Sequence, residues 1–122
     1  MISAYVVITA LAIAATGFSG VAALAHFKPI LPGMARAGVP ESWLTFPIGT
    51  LKTAGALGLL LGLAGVPLIG MAAAIGLILF FVCAVYTHVR AGDYSPQFGL
   101  ANGFLLLAVA ALALTLATAS AA

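Results

Sequence analysis

Polar side chains interrupt this chain at only a few places, and between them run four apolar stretches of membrane-spanning length. The pattern predicts helical spans over about 3–27, 48–64, 67–89 and 97–119, each near the roughly 20 apolar residues that one bilayer crossing takes. Lys28-Pro29 closes the first stretch, because proline lacks a backbone donor and turns the preceding residue away from helix. Between Lys28 and Pro47 the breakers Pro29, Pro32, Gly33, Gly38 and Pro40 alternate with Ile30, Leu31, Met34, Trp43 and Phe46. That mixture excludes a long helix and suits a loop or short helix lying in the headgroup region. Pro40-Glu41-Ser42 reads as a helix start, and Pro47 should kink the second span or separate a short interfacial helix from it. Gly65-Val66-Pro67 can only reverse direction, and the segment from Arg90 to Pro96 is a polar turn.

Helical spacing also separates the faces. Ala12, Thr16, Ser19 and Ala23 recur every three or four residues, a small and hydroxyl-bearing stripe that should face the other spans. Gly55, Gly58 and Gly62 give the second span a nearly bare face, with a GxxxG at Gly58 and Gly62. Such faces suit close helix contact, within one chain or in a homo-oligomer. The expected fold is therefore all-α, an integral membrane four-helix bundle in one transmembrane domain covering residues 1–122.

Composition sharpens this picture. Over 122 residues, 65% are hydrophobic and 5% charged, against roughly 25% charged in soluble domains. No stretch is left for a soluble catalytic or nucleic-acid-binding domain, and the net charge of +2 is a matter of topology, not of phosphate recognition. Ala23-Leu24-Ala25 resembles a signal-peptidase site, but no basic residue precedes the apolar run, which is longer than a signal core of about 7–15 residues; the segment is expected to be a retained span. Every lysine and arginine lies in, or within a few residues of, the connections between spans 1 and 2 and between spans 3 and 4. The positive-inside rule puts that side in the cytoplasm and both termini outside.

The candidate chemistry lies at that same end. Lys52 falls about one turn inside the second span, where a lysine is costly unless paired, functional or snorkelling to the headgroups. Its candidate partners are Glu41 and Asp93, the only carboxylates. His26 and His88 sit at matching depths and could transfer protons or hydrogen-bond a quinone-like headgroup; two imidazoles alone make a poor metal site. Asn102 and Gln97 should bond across to another span. Trp43, Tyr86 and Tyr94 fit the interfacial aromatic belt, and the lone Cys83 reads as a small core residue without a disulfide partner.

The run Gly49-Thr50-Leu51-Lys52-Thr53-Ala54-Gly55-Ala56-Leu57-Gly58-Leu59-Leu60-Leu61-Gly62, the hairpin at Pro67 and the close His88-Val89-Arg90-Ala91-Gly92-Asp93 together resemble the DoxX-like family of small four-span bacterial membrane proteins. The resemblance implies an inner-membrane bundle. It also implies association with membrane redox systems such as thiosulfate:quinone oxidoreduction or, among distant relatives, a role as assembly factor or chaperone for membrane proteins. Lys52, His88, Arg90 and Asp93 match the family's polar positions, and no catalytic role comes with them. The expected ligand site comprises Lys52, His26, His88, Asn102, Glu41, Asp93 and Arg90, with no metal and no intrinsic cofactor. It would take a quinone or lipid, with membrane lipid, a redox protein or another membrane protein as partner. A small multidrug-type transporter is disfavoured, because no carboxylate lies within a span.

Overall fold

The computed structural model describes residues 2–121. Helix α1 covers Ile2–Leu24, α2 is a short helix at Leu31–Ala37, and α3 covers Thr50–Leu63. Helices α4 and α5 cover Pro67–Ala91 and Pro96–Ala121. Four helical segments are long and apolar enough to cross a membrane, the second of them counted from Glu41 to Leu63. The pairs α1/α3, α3/α4, α4/α5 and α5/α1 touch, closing a ring of four antiparallel neighbours.

Small residues set how closely the ring closes. A Cβ on Gly62 would lie 2.7 Å from the Gly70 Cα, and one on Gly58 would lie 2.6 Å from the Ala73 Cβ, so the bare face of α3 is used up against α4. On α1 the stripe faces inward as expected: Ala12, Thr16 and Ala23 are buried and Ser19 is half-buried. Ala12, Leu59, Ala74, Leu77, Phe81 and Ala108 form the main buried cluster. At the charged end a second cluster, Ala23, Met34 and Leu44, fixes α2 and the turn at Glu41–Leu44 to the end of α1.

Helix ends explain where the observed spans depart from the expected ones. After α1, α2, α3 and α4 the chain takes the same reversal: one amide bonds back three residues and the next bonds back five, a Schellman cap that needs a left-handed residue. Gly38, Gly65 and Gly92 fill that place after α2, α3 and α4. After α1 it is His26, at φ 53°, so α1 ends at Leu24, before the expected limit of 27. The second span divides as Pro47 suggested. Phe46 is extended, at φ −145° and ψ 133°, and separates the interfacial turn at Glu41–Leu44 from the helical segment that leads into α3. Arg90 still belongs to α4, which runs to Ala91.

Candidate functional site

At the charged end the four spans part around a cavity of about 850 Å³. Residues of α1, α3, α4 and α5 line it, together with the segment around α2. Its wall is overwhelmingly apolar. Lys52, Ser19, His88 and Gln97 are among the few polar side chains on it.

Lys52 Nζ donates to Ser19 Oγ at 2.9 Å. It also lies 5.8 Å from the ring centres of Phe80 and Phe81 and 5.5 Å from that of Phe104, within the range of about 6 Å at which a cation is attracted to an aromatic face. Neither expected carboxylate reaches it. No ion pair of Lys52 occurs among the described residues, and its ammonium points between α1, α4 and α5 instead of snorkelling outward. The reason is geometric: Lys52 leaves α3 on the side turned toward α1, and its stem brings the ammonium onto the Ser19 hydroxyl. Ser19 and the three phenylalanines were not singled out from the sequence as site residues. The stripe that carries Ser19 was the available signal, whereas the rings looked like ordinary span residues.

The two carboxylates tie together the connections at the charged end. Glu41 Oε2 lies 3.2 Å from His26 Nδ1, and His26 Nε2 is 2.9 Å from Thr45 Oγ1, tying the end of α1 to the turns that lead into α3. Asp93 is buried, with its side chain 4% exposed. It meets His88 Nδ1 at 2.9 Å, Arg36 Nε at 3.7 Å and the Ser95 backbone N–H at 3.2 Å. Burial pushes the Asp93 carboxyl up, but hydrogen bonds from Ser95 and His88 and the His88 charge pull it further the other way, so its net position is below the ordinary carboxylate value. Arg36, absent from the expected set, thereby links α2 to the turn after α4. This contact also fixes the polarity of the bundle, since the 25–49 connection and the 92–95 turn must share one end.

Other expected site residues lie elsewhere. Asn102 donates to the Phe98 carbonyl of its own helix at 2.9 Å and does not bond across to another span, because the carbonyl four residues back is within reach of its short side chain. Arg90 is exposed, with no ion pair among the described residues. Cys83 is exposed as well, contrary to its expected core position, because it lies on the apolar wall of the cavity. Trp43, Tyr86 and Tyr94 are exposed, as belt residues would be.

The DoxX-like family model matches residues 7–119, nearly the whole chain. The chain belongs to the DoxX-like family. No curated protein and no solved structure matches it. For this DoxX-like protein the family and the four apolar helices establish a small multi-pass membrane protein. What its cavity holds is a question for the residues themselves.

Proposed function

We propose that this protein binds a lipophilic ligand drawn from the bilayer, a quinone in the leading case, and serves as a redox-associated subunit of the bacterial inner membrane. The mouth of the cavity would face the cytoplasm and both termini would lie outside. A single observation carries this reading: an ammonium held among three aromatic rings at the wall of a large apolar cavity, with one hydroxyl partner and no counter-ion among the described residues. Lysine is among the costliest side chains to keep in a membrane, and a mostly apolar pocket with a few convergent polar groups is the usual form of a small-molecule site. Lys52 would donate to an oxygen of the headgroup, His88 would stand at the same wall, and the apolar lining would take the tail. Electron transfer would fall to a separate redox protein.

Extraction in mild detergent followed by ultraviolet difference spectroscopy tests the reading. Quinone should copurify with the wild-type protein and be lost from Lys52→Ala with helicity intact. A ligand-free wild type, or equal quinone content in the variant, would count against it.

A second reading, a non-enzymatic assembly partner of another membrane protein, draws on a different face. A Cβ on Gly99 or on Gly103 of α5 would meet nothing within 4 Å. These glycines therefore leave a GxxxG surface open to a further helix.

A further inference from the structure

His88 and Lys52 share the cavity wall, but they offer opposite chemistry. An ammonium only donates, and Lys52 has given one of its hydrogens to Ser19. His88 is different because of what lies behind it. Its Nδ1 meets Asp93 Oδ2 at 2.9 Å, and its Nε2 has no hydrogen-bond partner among the described residues. An ionised carboxylate only accepts, so the Nδ1 hydrogen must be the shared one. Arg36, 3.7 Å from the other Asp93 oxygen, already supplies that carboxylate with a counter-charge. In the neutral imidazole that arrangement leaves the lone pair on Nε2, as an acceptor.

The two groups are also spaced along the cavity. Phe81, whose ring centre lies 5.8 Å from Lys52 Nζ, is seven residues before His88 on α4. Seven residues bring the chain back to the same helix face about 10 Å further along the axis.

We infer that Lys52 and His88 together select the reduced, dihydroxy form of a quinone-type amphiphile, one oxygen accepting from Lys52 Nζ and the opposite hydroxyl donating to His88 Nε2. This inference rests on the proposed ligand reading of the cavity. Oxidised quinone carries two carbonyl acceptors and would set one of them against the Nε2 lone pair, whereas quinol satisfies both protein groups. One matched hydrogen bond against a mismatch is worth about tenfold in affinity. Through linkage, that preference would raise the potential of the bound two-electron couple by about 30 mV. Asp93 acts here as a positioning residue, fixing which imidazole nitrogen faces the ligand.

The test is anaerobic titration of the full-length protein in detergent at about pH 8, with a decyl-substituted 1,4-benzoquinol and the matching benzoquinone. The single tryptophan, Trp43, lines the cavity. Its quenching reports quinone binding directly and quinol binding by competition. Wild type should prefer quinol about tenfold. His88→Leu should bring the ratio near one, and His88→Gln, which restores an acceptor oxygen, should recover part of the preference. Asp93→Asn, which can turn the imidazole hydrogen onto Nε2, should reduce it. Equal wild-type affinity for the two forms, or a preference that survives in His88→Leu, overturns this inference and leaves the cavity reading standing. Failure to bind either form overturns both. Should His88→Leu fail to fold, the wild-type ratio alone still decides.

Discussion

His26 is the one non-glycine residue with positive φ among those described, and it occupies a place that three other helix ends in this chain give to glycine. A left-handed conformation costs an L-residue roughly 1–2 kcal/mol, and such strain persists where surrounding contacts hold it. Here Glu41 and Thr45 do so by taking up both ring nitrogens. Two substitutions separate backbone from side chain. His26→Ala loses both bonds and keeps the strain, whereas His26→Gly loses both bonds and releases it. Reversible unfolding in mixed detergent should therefore find the glycine variant more stable than the alanine variant by about 1 kcal/mol; equal stability would mean that the cap carries no strain. At this scale the sequence was legible in part. Lys52, His26 and His88 stood out because ionisable groups are rare in spans, but their partners did not, since pairing depends on which helix face each stem leaves from. Ser19 took the place expected of Glu41 or Asp93 at Lys52 for that reason, and Arg36 joined Asp93 only through the folded path of the 25–49 connection.

Elements were the most readable level, because span length and apolar content are dictated by bilayer thickness and by the need to satisfy every backbone group within the helix. The one end displaced by three residues, at Leu24, is the end whose cap residue is histidine. A chain scanned for glycine gives no stop signal there. The glycines of α3 were legible as a contact face, but the sequence could not say whether α4 or another chain would cover it. With α4 as the answer, substitutions should divide by face. Gly62→Ala drives a Cβ toward the Gly70 backbone, which cannot rotate away, so α3 and α4 must separate at a cost of about 1–3 kcal/mol. Gly103→Ala meets nothing within 4 Å and should shift stability by less than about 1 kcal/mol, in the stabilising direction expected of the better helix former. Paired unfolding measurements on the two variants check this. A Gly62→Ala variant as stable as wild type would mean that α3 and α4 do not pack as closely as described.

For the whole molecule, one contact joins topology to function. Arg36 lies in the first connection and Asp93 in the last, and their approach to 3.7 Å requires that both connections emerge on the same side of the bilayer. The proposed orientation puts that side in the cytoplasm, since all four basic residues belong to that end and basic loops favour the cytoplasmic side. If the cavity takes a ligand from the membrane, the charged end at which it lies would face a cytoplasmic partner, and the tight hairpin at Gly65 would face outward. Single cysteines placed at Arg36, Arg90 and Gly65 in a Cys83→Ser background give the measurement. In intact cells a membrane-impermeant maleimide should label only the Gly65 position, and in inverted vesicles only the two arginine positions. Labelling of positions 36 and 90 from opposite sides would break the four-span threading itself. Labelling of both from outside would keep the bundle and its cavity but reverse the orientation, and any redox partner would then have to be sought on the other face.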